Sequence, residues 1–199
     1  MLSSNGVTAL RMVADISLGF AFRTRLEGHA EGNVAVLQMK DITESSAPSY
    51  AAAVRLSVAP DKTTLLRAGD LVFRSRGRSY GAALVVGDVP PAILAAPLLL
   101  IRPTRVLPEY LHWFINSDHA QAQLASVAVG TAVQQISAES LRALEVPVPP
   151  EEVQRRIAEV AQLARREEEL TGAISKRRRQ LTNHILLSHA YRPSKGEIR

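Results

Sequence analysis

Apolar residues along this chain follow two unlike patterns that meet at Pro147-Val148-Pro149-Pro150. Before that junction, short apolar runs rich in β-branched residues alternate with Gly, Pro and Asp. Runs bounded by such turn-formers predict strands over residues 34–39, 70–74, 82–86 and 98–101. After Pro108, a residue suited to a first helical turn, Leu111, Phe114 and Ile115 recur at helical spacing. They predict one amphipathic helix from residue 108 to about 126. Ser137 can cap a shorter helix, with Glu139 near the positive end of its dipole. Strands in irregular order, interrupted by a helix, predict an α+β domain rather than a regular βαβ array.

The text after the junction is simpler. Residues 151–190 contain no proline and one glycine, Gly172. Pro150 and the acidic pair Glu151-Glu152 favour a helix start, the carboxylates by complementing the dipole. Val153, Ile157, Val160, Ala164, Ile174, Leu181 and Ile185 then follow steps of three and four, the spacing of a coiled-coil seam. Glu167, Thr171 and Arg178 fall on the same series and weaken it in the middle. A helix of about 40 residues extends about 60 Å. A domain of about 150 residues, with a radius of gyration of about 15 Å, cannot cover that length. A partner helix is therefore expected at Val153, Ile157, Val160, Ile174, Leu181 and Ile185. The division expected is a globular domain over 1–149, a long helix over 150–190 and a flexible basic tail over 191–199.

Charge narrows the partners. The chain of 199 residues has a net charge of +5, which fits a polyanionic ligand. Residues 1–150 carry 13 Lys/Arg against 12 Asp/Glu, so the domain is nearly neutral and its cations act locally. Lys176-Arg177-Arg178-Arg179 reads either as a nucleic-acid patch or as a solvated face near a helix C-terminus. Cysteine is absent, which removes disulfides and thiolate chemistry. The opening residues lack a signal-peptide pattern, and the longest apolar stretch, 90–101, is short and holds three prolines. A soluble cytoplasmic protein without a membrane partner is expected.

Enzyme signatures are missing. The lysines Lys40, Lys62, Lys176 and Lys195 have Gln38, Pro60, Ile174 and Pro193 two residues before them, not the acid of a common nuclease motif. Asp88-Val89-Pro90-Pro91 approximates an amino-methyltransferase loop but no aromatic follows it. No glycine-rich phosphate loop ends in Lys-Ser/Thr. His112 and His119 lie seven residues apart on a predicted helix, too far to share a metal directly. No cofactor and no catalysis are expected.

One polar constellation stands out, Arg74-Ser75-Arg76-Gly77-Arg78-Ser79-Tyr80-Gly81, directly after Leu71-Val72-Phe73. Strand alternation places Arg74, Arg76 and Arg78 on one face. Guanidinium forks bind phosphates and read guanine edges, Ser79 and Tyr80 offer hydroxyls, and the glycines allow close backbone approach. The competing reading is an edge strand kept soluble by charge. Arg23 and Arg25, after Phe20-Ala21-Phe22, form a second candidate for DNA contact.

Three passages in order resemble the specificity subunit of Type I restriction–modification systems. They are Val13-Ala14-Asp15-Ile16-Ser17-Leu18-Gly19-Phe20-Ala21-Phe22; then residues 66–77 around Gly69-Asp70-Leu71-Val72; then Gly130 to Ser137 with Leu141, Val146 to Pro150, Gln154 and Ile157. The resemblance implies a non-catalytic subunit that recognises double-stranded DNA and guides methyltransferase and restriction subunits. Family members have two target-recognition domains joined by two antiparallel helices, and each domain reads half of a split site. This chain shows one domain and one helix. A homodimer with an antiparallel coiled coil, reading a split palindrome, is thus expected. The alternative is a protein-interaction adaptor that docks a partner through the helix and binds no DNA.

Overall fold

The computed structural model describes residues 6–22, 32–42, 48–59, 61, 64–77, 80–130 and 134–191. Its strands are β1 (Gly6–Ala9), β2 (Ala14–Leu18), β3 (Val34–Leu37), β4 (Val54–Leu56), β5 (Leu71–Arg74), β6 (Ala82–Leu84), β7 (Ala92–Leu94), β8 (Leu98–Pro103) and β9 (Glu145–Val148). The helices are α1 (Pro108–Ile115), α2 (Asp118–Ser126), α3 (Ala138–Arg142) and α4 (Glu151–Ala190). The chain divides into two compact units, residues 1–158 and 159–199. The first is α+β, as the sequence predicts. The second is the body of one long helix. No helix among the described residues is long and apolar enough to cross a membrane.

Alternation on the central strands builds two cores. An antiparallel sheet in the order β2-β8-β5-β6 turns Leu71, Phe73, Leu99 and Ile101 to one side, where Tyr110, Leu111, Phe114 and Leu124 meet them. Val72, Leu98 and Leu100 point the other way. There they join Ala35, Leu37, Ala92 and Leu94 from a second sheet, ordered β4-β3-β7 with β3 and β7 parallel. A small ribbon of β1 against β9 joins the two ends of the unit.

The strands expected over 34–39, 70–74 and 82–86 are shorter, the last ending at Leu84, while the one expected over 98–101 runs on to Pro103. Residues 34–39 end as a strand at Leu37, because Gln38 opens a 3-10 turn over Met39–Asp41. The Asp41 carboxylate accepts from the Gln38 N–H at 2.9 Å and holds that turn. Asp70 precedes β5 rather than starting it. Its buried carboxylate accepts from the Arg67 N–H at 2.8 Å, closing a turn in which Gly69 has φ +89°. A side chain at that φ would be strained.

The single helix expected over 108–126 is two. Asn116 ends α1, its N–H still donating to the His112 carbonyl at 3.3 Å, and its side-chain amide bonds both backbone groups of Ala82 on the edge strand β6, at 2.9 and 3.0 Å. Ser117 turns extended, and its hydroxyl accepts from the Ala120 N–H to cap α2. Ser137 caps α3 in the same way, accepting from the Ser140 N–H at 2.9 Å.

Candidate nucleic-acid interface

The end of β5 is where the sequence-predicted cations sit. Arg74, next after Phe73, is the last residue of β5 and is half-buried. Ser75 is buried, its hydroxyl donating to the Pro97 carbonyl. Arg76 is exposed and pairs by an isolated antiparallel bridge with Gln135. Its Nε and Nη2 donate to the Gln135 Oε1 at 3.2 and 2.6 Å. Gly77 follows at φ +127°, a conformation that suits glycine. Arg23, Arg25, Arg78 and Ser79 lie outside the described residues, as does the tail from 192 onward.

Tyr80 departs from the expectation. Only 4% of it is exposed, and its ring belongs to the larger core. Its hydroxyl donates to the Gln134 Oε1 at 3.2 Å. Its backbone exchanges bonds with the Gln121 amide, N–H to Oε1 at 3.4 Å and Nε2 to the carbonyl at 3.2 Å. Tyr80 is therefore a packing residue, because an apolar ring with a satisfied hydroxyl is more stable inside than in water.

Sequence reasoning missed the glutamines. Gln134 and Gln135 come shortly after Gly130, which has a φ of +130°, and Val129 and Gln135 exchange two backbone bonds at 3.1 and 2.9 Å. The Ile136 N–H donates to the Ser75 carbonyl at 2.8 Å and holds this stretch against the end of β5. The signal was the Gln-Gln pair after Gly130-Thr131, noted above only within a family resemblance. Beside Arg76 and Gln135 lies an apolar cleft of about 320 Å³, lined also by Leu18, Pro97 and Ile136. A guanidinium and a carboxamide on one rim can donate and accept in the plane of a base edge or grip a phosphate. Among the described residues no group of His, Asp and Glu could hold a metal ion.

Two further contacts brace the sheet that carries the rim, the first at the other end of β5. Asp70, buried, receives the Nε and Nη2 of Arg102 on β8, both at 2.7 Å, and Nη2 also donates to the Leu65 carbonyl at 2.9 Å. The hydrogen bond to Asp70 raises the Arg102 pKa above its ordinary value, against the pull of burial. Arg142 of α3 donates to the Ile16 carbonyl at 3.0 Å and ties α3 to β2.

The predicted seam positions separate along α4. Val153 is exposed, whereas Ile157 packs against the larger core and so serves the domain first. Val160, Ile174, Leu181 and Ile185 are all exposed, Val160 by 66% and Leu181 by 60%.

The family model described as the Type I restriction modification DNA specificity domain matches residues 7–175. The chain belongs to that family. Among solved structures it is similar to a protein from work on complex assembly and conformational transition of the type I R-M system, at 20% identity and a TM-score of 0.69 over 92% of this chain and 44% of that one. It is also similar to the HsdS subunit from Thermoanaerobacter tengcongensis, at 20% identity and a TM-score of 0.61 over 84% of this chain and 39% of that one. A third likeness is to the Type-I restriction-modification system S subunit from M. genitalium, at 14% identity and a TM-score of 0.55 over 89% of this chain and 44% of that one. The chain thus spans less than half the length of each, and at these identities the likeness is one of fold. No curated protein matches the sequence.

Proposed function

We propose that this chain is a non-catalytic subunit that recognises DNA sequence for a Type I restriction–modification methyltransferase complex. Family membership over residues 7–175 is the observation that carries the reading. Residues 1–149 act as the target-recognition domain, 150–190 as a spacer and dimerisation helix, and 191–199 as a basic tail. Each copy reads one half-site. Methyl transfer and cleavage belong to partner subunits, in keeping with the missing catalytic motifs.

Arg76 and Gln135 are the contacts best supported by geometry, because both are presented together on the surface beside a glycine turn. Arg74, Arg78 and Ser79 are neighbours of Arg76 in the sequence and remain candidate contacts with it, and Arg23 and Arg25 form a separate candidate contact. The homodimer rests on the exposed apolar face of α4, at Val160, Ile174, Leu181 and Ile185. Burying such a side chain is worth about 1.5–3 kcal/mol, and a second copy is the partner always at hand.

Binding of the purified chain to duplex DNA over a range of salt tests this reading. Phosphate neutralisation makes log K fall linearly with log salt. A steep slope supports DNA recognition. Absence of binding at low salt contradicts it and favours an adaptor that works through the helix alone.

A further inference from the structure

The polar interruptions in the α4 seam are themselves informative. Series positions Val160, Ala164, Glu167, Thr171, Ile174, Arg178, Leu181 and Ile185 all lie on one exposed stripe. Neither Glu167 nor Arg178 takes part in the helix's own ion pairs, which run Glu151–Arg155, Glu152–Arg156 and from Glu169 to Arg165 and Arg166. Two opposite charges thus stand in an apolar row without partners on their own helix.

We infer that two copies of α4 pair antiparallel in a single register, in which Glu167 of each copy enters the groove around Arg178 of the other. This rests on the homodimer reading above and adds the alignment. In an antiparallel coiled coil each layer joins an a position to a d position of the opposite helix. With the two-fold axis level with the Gly172–Ala173 peptide, the series maps onto itself. Val160 meets the partner's Ile185, Ala164 the partner's Leu181, Glu167 the partner's Arg178, and Thr171 the partner's Ile174. Every apolar seam residue in this span faces an apolar residue or a threonine, and every charge faces its opposite.

The surface of the helix already carries the receiving hole. Ile174, Arg177, Arg178 and Leu181 surround a groove flanked by Leu170 and Ala173. Those first four are the residues between which a knob at position 167 of an antiparallel partner lands. The wall of this hole is apolar, but two of the residues that form it, Arg177 and Arg178, are cations, so a glutamate entering it meets opposite charge at its carboxylate end.

Competing alignments leave charge uncompensated. A parallel pair sets Glu167 against Glu167 and Arg178 against Arg178. A slip of one heptad in one direction puts Glu167 against Ile185 and Arg178 against Ile174. A slip in the other direction puts Arg178 against Val160 and needs Ile157, which is already packed on the domain core. Desolvating a charge without its partner is costly, so the two ions act as a register lock.

Charge exchange in the full-length chain tests the lock. Glu167→Arg and Arg178→Glu each place two like-charge pairs in the seam and should weaken dimerisation at least about tenfold. An equimolar mixture of the two single variants should form a heterodimer, because both cross-pairs are then opposite in sign. The double variant should dimerise like the wild type. Circular dichroism checks that each variant keeps the helix. The chain has no cysteine, so a mixture of Ala164→Cys and Leu181→Cys chains should also cross-link on oxidation while neither does so alone. A wild-type dimer whose single variants dimerise equally well, or whose mixture does not recover, overturns the register and leaves the homodimer standing. A monomeric wild type at micromolar concentration overturns both.

Discussion

The side chain of Gln154 is hydrogen-bonded to the backbone of Leu107, 47 residues earlier, its Oε1 accepting from the Leu107 N–H at 2.9 Å. Its Nε2 donates to the Pro149 carbonyl at 2.8 Å, so both ends of a buried amide are satisfied. Leu107 is the residue before α1, which has no side-chain cap of its own. One glutamine in the first turn of α4 thus closes the start of another helix and ties that first turn to the sheet domain. Ile157, one turn further on, adds an apolar contact with the same core.

Gln154→Leu keeps the volume and removes both bonds. It leaves the Leu107 N–H and the Pro149 carbonyl buried without partners, at about 1–3 kcal/mol for each such group. Urea unfolding of the variant should show a loss of about 2–4 kcal/mol. An unchanged midpoint would mean that water satisfies both groups and that the anchor is dispensable.

Asp70 and Arg102 offer a second stability test. Asp70→Asn keeps the shape but takes the charge from a paired guanidinium, and breaking such a pair costs about 3 kcal/mol. The same substitution loosens the Gly69 turn before β5, so amide exchange should quicken at Arg67 and Leu71. A variant as stable as the wild type would show that the pair is decorative.

Alkaline stability should report on two tyrosines. Burial raises the Tyr110 pKa, and burial followed by the charge of Asp70 raises that of Tyr50. The unfolded chain ionises its tyrosines near pH 10 while the native state still holds both protons. Their contribution is therefore complete below about pH 10 and is lost as pH rises through the raised native values. Tyr110→Phe removes a hydrogen bond to the Pro147 carbonyl, costing about 1 kcal/mol at neutral pH. It should also make the decline above pH 10 shallower than in the wild type. Parallel pH curves for the two proteins would contradict the raised Tyr110 pKa.

Arg76→Ala and Gln135→Ala probe the recognition rim. Arg76 is exposed and Gln135 half-buried, and the bond that joins their side chains lies at the surface, so stability should change by less than about 1 kcal/mol. If Arg76 reads a base, its loss relaxes one position of the target by about 1–3 kcal/mol; if it grips a phosphate, affinity falls evenly across sequences and the salt slope drops by about one. Duplex binding at several salt concentrations separates the two. Affinity unaltered in both variants would move the DNA surface away from the end of β5.

What the sequence announces and what it conceals follow the range of the forces involved. Pro108, Ser137 and Pro150 mark helix starts because caps and first turns are local chemistry, and α4 declares itself by forty residues of one period. The break after Asn116 carries a local mark of the same kind in Ser117, a cap that the apolar spacing of 108–126 overshadows, while the bonds from Asn116 to Ala82 on a distant strand are not legible in the sequence. Strands β1, β4, β7 and β9 are three or four residues long and acquire their identity from partners far along the chain. The same limit governs the candidate interface. Alternation groups Arg74, Arg76 and Arg78 on one face, but the strand ends at Arg74, which is half-buried, and Arg76 is exposed with Gln135 reaching it from 59 residues away. Tyr80 reads as a polar loop residue until the packing of α1 and α2 over β5 shows its ring to be core.

Selection from random-sequence duplexes tests sequence recognition most directly, using the purified chain with its methyltransferase partner. Two identical domains related by a two-fold axis require an enriched site made of two inverted half-sites with a fixed gap. Arg76→Ala should either lower recovery of that site evenly or blur one base in both halves together. Enrichment of a split palindrome is the predicted result. Recovery of no preferred sequence, from duplexes that the complex demonstrably retains, would contradict it.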